Sequence, residues 1–238
     1  MLSGINSAIS GLKISQTRLN QSAHNVANAS TSAYVPSRID QGDVATGGVR
    51  QLGATPLSPG GITVTDRALD LALNGGGFFA VNDPLNGQVY TRSGNFTIDN
   101  QGNLADNQGR ALTPGINVPA GTSQLSISEH GLVQAYDNNG NLISQSQMQT
   151  ASFGNAAGLQ SLGYNSFAAT AASGPAMFNE PGTAGHGGGI VSGALQTSGT
   201  DLAHEAVEQI ISQRGFEANV KSIQTYDEMI GTLLDLKA

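Results

Sequence analysis

Two long amphipathic helices at the ends of this chain, with a Gly-, Asn- and Ser-rich middle between them, constrain its fold more than any other feature. Near the N-terminus, Leu2, Ile5, Ile9, Leu12, Gln16, Leu19, Ala23 and Val26 alternate in spacing between three and four residues. That is a heptad a/d seam, polar only at Gln16, along a helix about 40 Å long at 1.5 Å per residue. Near the C-terminus, Ala203, Ala206, Ile210, Gln213, Phe216, Val220, Ile223, Ile230 and Leu234 form a second stripe, with Asp227 filling its one gap. Neither helix buries its stripe alone; each needs the other or a neighbouring molecule. The middle of the chain has few large apolar residues to offer them, and the 3.5-residue repeat favours helix-on-helix packing.

The first helix is expected to end near Asn28-Ala29-Ser30, because Pro36 forbids continuation and pushes Val35 toward extended geometry. Residues 37–61 carry Gly and Pro punctuation with little periodicity and read as an extended connector. Strand patterning begins at Ile62-Thr63-Val64-Thr65 and continues through Leu69–Leu73 and Phe78-Phe79-Ala80-Val81. Three turns share one chemistry: Asp99-Asn100-Gln101-Gly102, Asp106-Asn107-Gln108-Gly109 and Asp137-Asn138-Asn139-Gly140. Asp and Asn bond their own main chain and tolerate left-handed backbone, and Gly takes positive φ freely, so each is a turn between short strands. An antiparallel, meander-like β region over about residues 62–150 follows. Residues 151–198 read as a return segment, with Ile190–Leu195 as one more strand. Thr200 or Asp201 then caps the second helix, with Glu205 and Glu208 at the positive end of its dipole and Lys237 at the negative end.

The expected fold is therefore α+β, with long terminal helices paired as a coiled-coil-like module around a central antiparallel β-rich domain. Its domains are residues 1–30 with 199–238 (discontinuous, helical), 31–61 (connector) and 62–198 (β domain with return segment).

Composition removes several function classes. The formal charge is −7, and the ten Lys and Arg are scattered, so no phosphate-tracking groove forms and nucleic acid is an unsuitable partner. No apolar run is long enough to span a membrane, so no membrane insertion is expected, and the N-terminus lacks the basic and apolar regions of a cleavable signal peptide. With no Cys, disulfides and thiolate metal sites are excluded. His24, His130, His186 and His204 show no metal-ligand spacing, and the Asp-Asn-x-Gly turns lack the alternating acids of a calcium loop. Gly75-Gly76-Gly77 lacks the Lys and following helix of a phosphate cradle and reads as a tight strand connection. No nucleophile elbow occurs. No catalytic residue, cofactor or metal is expected, and the chain reads as a non-enzyme.

Three blocks resemble the axial proteins of the bacterial flagellum, the rod and hook subunits. Asn25-Val26-Ala27-Asn28-Ala29-Ser30-Thr31 is similar to that family's signature at the end of its first helix, with Ala33 where Gly is usual. The second block runs from Asp70 through Gly75, Gly77, Phe78 and Phe79 to Tyr90-Thr91-Arg92-Ser93-Gly94-Asn95-Phe96. The third, Gln213-Arg214-Gly215-Phe216-Glu217-Ala218-Asn219, resembles the C-terminal helix signature, with Gly215 where Ala is common. The resemblance implies a subunit that stacks helically into a hollow tube, with distal rod proteins most similar and hook or proximal-rod subunits as alternatives. It implies a homo-oligomeric polymer in the flagellar basal body, exported through the flagellar apparatus, with neighbouring rod or hook subunits and basal-body rings as partners. Its assembly interface would comprise Leu2, Ile5, Ile9, Leu12, Leu19 and Val26 on one helix, and Ile210, Phe216, Val220, Ile223, Ile230 and Leu234 on the other. A reading from a different class is a secreted β-rich recognition module that its helices merely dimerise.

Overall fold

The computed structural model describes residues 2–45, 47–56, 58–183 and 188–235, without the side chains of Leu2, Ser3 and 233–235. His186 and Lys237 therefore lie outside the described residues, as do the side chains of Leu2 and Leu234. The architecture is α+β, divided into two units. The first comprises Met1–Ser30, Val35–Ser58 and Thr200–Ala238; the second comprises Thr31–Tyr34 and Pro59–Gly199.

The first unit holds helix α1 (Leu2–Ala27), strands β1 (Ser37–Asp43) and β2 (Val49–Pro56), and helix α2 (Leu202–Asp235). Asp201 caps α2, its Oδ1 accepting the main-chain N–H groups of Ala203 at 2.9 Å and His204 at 3.2 Å. The antiparallel β1–β2 hairpin occupies the stretch that the sequence marks as an extended connector. Its only buried large apolar residue is Ile39, so neither strand shows the alternation that would announce it. The hairpin docks on α1 where Val49 N–H donates to Ser10 Oγ at 3.1 Å. Gly48 is required there: at φ +96° it leaves room for Ser10 Oγ, which would lie 2.3 Å from an added Cβ.

The second unit is wholly antiparallel. Its first strands are β3 (Ile62–Val64), β4 (Leu71–Asn74), β5 (Phe79–Asp83), β6 (Gly87–Thr91), β7 (Thr97–Ile98), β8 (Leu104–Ala105) and β9 (Leu112–Thr113). A three-stranded sheet follows in chain order: β10 (Gln124–Ile127), β11 (Leu132–Tyr136) and β12 (Leu142–Gln147). The return segment supplies β13 (Thr150–Ser152), β14 (Gln160–Gly163), β15 (Ser166–Ala168), β16 (Met177–Asn179), β17 (Gly189–Ser192) and β18 (Ala194–Gln196). The topology departs from a meander, because these late strands pair back onto early ones: β17 with β4, β18 with β3, and β14 and β15 onto β6, β5 and β9 as a five-stranded sheet. The Ile190–Leu195 segment is two strands rather than one, broken at Gly193 with φ +73°.

The run Phe78-Phe79-Ala80-Val81 is continuous rather than alternating because both of its faces are buried. Phe79 and Val81 enter a core with Leu71, Leu73, Phe96, Leu104, Leu112 and Ile190, where the Phe79 and Phe96 rings meet edge-to-face at 5.1 Å. Phe78 and Ala80 point the other way, into a second cluster with Tyr90, Ala151, Phe153 and Phe167.

The three Asp-x-x-Gly turns are built alike. The Oδ1 atoms of Asp99, Asp106 and Asp137 each accept main-chain N–H groups two and four residues on, at 2.7–2.9 Å. Gly102, Gly109 and Gly140 take φ between +77° and +85°. The N–H of Asn103, above all, holds the Asp99 carboxyl below its ordinary value of 3.8, and that of Asn141 does the same for Asp137. In a similar turn the N–H groups of Asn86 and then Leu85 lower Asp83. A lowered folded-state pKa means that the unfolded chain binds more protons, so this contribution is fully present above pH 3.8 and lost as pH falls through the native pKa. Acid titration followed by circular dichroism should therefore show stability falling below pH 3.8, less steeply in Asp99→Asn with Asp137→Asn. Equal slopes would remove these carboxylates from the account.

Candidate assembly surface

Helices α1 and α2 lie side by side and antiparallel, and small and polar residues meet along their seam. Reading along α1, Gly4 lies beside Tyr226, Gly11 beside Asn219, and Ser15 beside Gly215. Arg18 pairs with Glu208 at 2.6 Å, and Ser22 Oγ donates to the Glu205 carbonyl at 3.0 Å. Asn25 Nδ2 donates to Glu205 Oε1 at 2.7 Å and to the Ser37 carbonyl at 3.0 Å, tying both helices to β1. Positions 4, 8, 11, 15, 18, 22 and 25 thus carry their own heptad, rotated from the apolar stripe. Gly11 decides how close the helices come, since a Cβ there would lie 2.8 Å from the Asn219 side chain. Side chains this short let the backbones approach, and the polar ones bond across the seam instead of to water.

The apolar stripes are only partly buried in the single chain. Ile9, Val26, Ile210 and Ile230 are exposed, by 36–58%, while Ile5, Leu12, Leu19, Phe216, Val220 and Ile223 are half-buried. Leu202, Val207, Ile211 and Met229 add to the exposed apolar surface of α2. Periodicity marks these stripes correctly as apolar but does not reveal that small residues occupy the contact beside them. Glu205, in the first turn of α2 as the dipole reading has it, and Glu208 also bond across to α1. The 3–4 spacing of Gly4, Ala8, Gly11, Ser15, Arg18, Ser22 and Asn25 was the available signal.

The signature residues divide between the units. On α1, Asn25 is buried in the network above, Ala27 is exposed, and Asn28 Nδ2 bonds the His24 carbonyl at 2.9 Å. Thr31 accepts the Tyr34 N–H at its carbonyl, in the second unit. On α2, Gln213 and Arg214 are exposed and bond Glu217 at 3.3 and 2.9 Å, and Asn219 faces Gly11.

The β-unit signature is architectural. Asp70 is buried and accepts from Thr65 Oγ1 at 2.7 Å and Arg67 at 2.9 Å. Gly75 and Gly77 take φ +128° and +148°, and Gly75 packs against Gly188. Arg92 is buried with no carboxylate partner among the described residues. It donates to Gln196 Oε1 at 3.2 Å and to the Gly75 carbonyl, and its guanidinium lies 5.5 Å from the Phe78 ring centroid. Burial lowers its pKa from the ordinary arginine value. Tyr90 packs edge-to-face on Phe153 at 4.8 Å, and burial raises its pKa.

A cleft of about 90 Å³ beside Arg18, Gln21, Asn25, His204 and Glu208 is well below the size of a cofactor site. Among the described residues no group of three His, Asp or Glu side chains is placed to hold a metal, and no helix is long and apolar enough to cross a membrane.

Two family profiles match this architecture: the flagellar hook protein FlgE/F/G D1 domain over residues 72–135, and the flagellar basal body rod FlgEFG protein C-terminal region over residues 191–236. The flagellar basal-body rod protein FlgG of Bacillus subtilis is 34% identical over 265 aligned residues, covering all of both chains. The chain belongs to the flagellar rod protein family. FlgG of Caulobacter vibrioides is 30% identical, again across the whole of both chains. The flagellar hook protein FlgE of Helicobacter pylori is 39% identical over 113 residues, which are 48% of this chain and 16% of the hook protein. The D1 match falls on the β unit and the C-terminal match runs from the end of β17 through β18 and α2, so the second signature block from residue 72 on and the whole third block lie within the matched regions.

Proposed function

We propose that this chain is a structural subunit of the flagellar basal-body rod, which polymerises helically into a hollow axial tube and performs no catalysis. The observation that carries this reading is the correspondence with rod proteins over the full length of both chains, helices included. The hook protein matches over only 16% of its length, which favours rod over hook. The tube would transmit torque and conduct export substrates within the basal body. Neighbouring rod or hook subunits, the export apparatus and the basal-body rings would be its partners.

In this reading the α1–α2 pair is a coiled-coil-like module, and the exposed stripes through Ile9, Val26, Ile210 and Ile230 are covered by neighbouring subunits. Burying a few hundred Å² of apolar surface per helix at about 25 cal/mol per Å² contributes several kcal/mol to each contact. That gain offsets part of the entropy lost in ordering the helices. Sedimentation of the full-length chain over a concentration series, with electron microscopy of the pellet, tests the reading. Tubes or filaments above a threshold concentration are expected. A fixed dimer at every concentration, even with rod fragments added as seeds, would instead support the recognition-module alternative.

A further inference from the structure

Residues 189–199, the last of the β unit, hold together its earliest elements. Among the described residues, β3 has no sheet partner except β18, and β4 none except β17. Ala72 and Leu73, in the middle of β4, are 0% and 1% exposed, so water cannot reach their main-chain N–H and C=O groups once the core has formed. Their ladder partners are Val191 and Ile190. Ile190 also fills the core itself, beside Leu71 and Leu73.

Arg92 adds a second requirement. Its buried guanidinium donates to Gln196 Oε1 at 3.2 Å and to the Gly75 carbonyl. The first acceptor belongs to β18, and the second sits where an added Cβ on Gly75 would lie 2.8 Å from Gly188 Cα. Gln196 is itself buried, with Nε2 donating to the Gly60 carbonyl at 3.2 Å and its own carbonyl accepting the Ala33 N–H at 2.7 Å. The Gly199 N–H donates to the Tyr34 carbonyl at 3.0 Å. A core that closed before this segment arrived would enclose unpaired main-chain groups at Ala72 and Leu73 and a poorly paired cation at Arg92. Burying such groups without partners is too costly for a unit of ordinary, marginal stability.

We propose that residues 189–199 are a closing strap, with Gln196 as its catch on Arg92, and that the β unit stays open until the strap is in place. A chain emerging N-terminus first then keeps this unit unfolded until nearly all of it except α2 has appeared. The inference does not depend on the rod reading, because it concerns the single chain. Refolding of the full-length protein from urea, at concentrations too low for association, tests it. The chain has no Cys, so a fluorophore on Asn138→Cys, in an exposed turn, reports on the β unit. Gln196→Ala should slow refolding about tenfold or more and leave the unfolding rate within about twofold, because the strap is already bound in the transition state. Ile190→Val, a milder change on β17, should slow refolding several-fold, and it carries the test alone if Gln196→Ala yields no folded protein. In an Arg92→Met background Gln196→Ala should slow refolding much less, since no guanidinium then needs an acceptor. Unchanged refolding with faster unfolding in the strap variants would mean that the strap docks on a unit already closed, and would overturn the proposal. Equal slowing by Gln196→Ala with and without Arg92 would remove the catch.

Discussion

Gly94→Ala should unfold the β unit or leave it barely stable. A Cβ at this position would lie 1.6 Å from the Leu71 carbonyl oxygen and 2.6 Å from its carbon, both backbone atoms that no rotamer change can move. The two segments are laced together here: Leu71 N–H donates to the Gly94 carbonyl at 2.9 Å, and Phe96 N–H to the Leu69 carbonyl at 3.2 Å. Relief therefore means pulling Leu71 and Phe96, both fully buried, out of the main core. Overpacking typically costs about 1–3 kcal/mol and more where backbone must move, so about 3 kcal/mol or above is expected here, a large share of the 5–15 kcal/mol that usually holds a domain together. Gly115→Ala is the matched control, since nothing lies within 4 Å of an added Cβ, and its change should stay within about 0.5 kcal/mol. Urea unfolding followed by circular dichroism reads both variants. Similar midpoints for the two would refute the close approach of residues 71 and 94.

Gly94 also shows what the sequence discloses and what it withholds. It stands out as part of the Tyr90–Phe96 block, yet nothing local explains why the position excludes a side chain; the reason is a strand more than twenty residues away. The Asp99, Asp106 and Asp137 turns were legible because their whole mechanism lies within five residues. The same holds for the end of α1 before Pro36 and for the Asp201 cap. Ile190–Leu195 was legible as strand, but its pairing was not: β17 and β18 pair with β4 and β3, over a hundred residues earlier. The β1–β2 hairpin escaped because a strand with one buried residue has no period to read. On the helices, periodicity located the apolar stripes, but it did not disclose the close approach at Gly11 and Gly215, which hydrophobicity does not mark.

That division between faces yields the sharpest functional expectation. Ile9→Asp, Ile210→Asp and Ile223→Asp should each abolish polymerisation while the β unit keeps its thermal transition. Ile9 and Ile210 are already 40% and 58% exposed, so a carboxylate there costs the isolated chain little. Covered by a neighbouring subunit, it becomes an unpaired buried charge, a penalty of several kcal/mol that raises the assembly threshold more than about a hundredfold. A cross-link on the other face should do nothing of the kind. A Cβ at Gly215 would lie 3.1 Å from Ser15 Oγ. Disulfide bond lengths place a Cβ about 3 Å from the partner sulfur, so Ser15→Cys with Gly215→Cys should oxidise with little strain. The chain has no other Cys to interfere. If small residues join the pair and apolar stripes join the subunits, the oxidised variant sediments like the wild type. Blocked assembly in that variant, reversed by reductant, would mean instead that α1 and α2 must part before subunits can stack, with the small-residue seam holding the helices only until a neighbour replaces it.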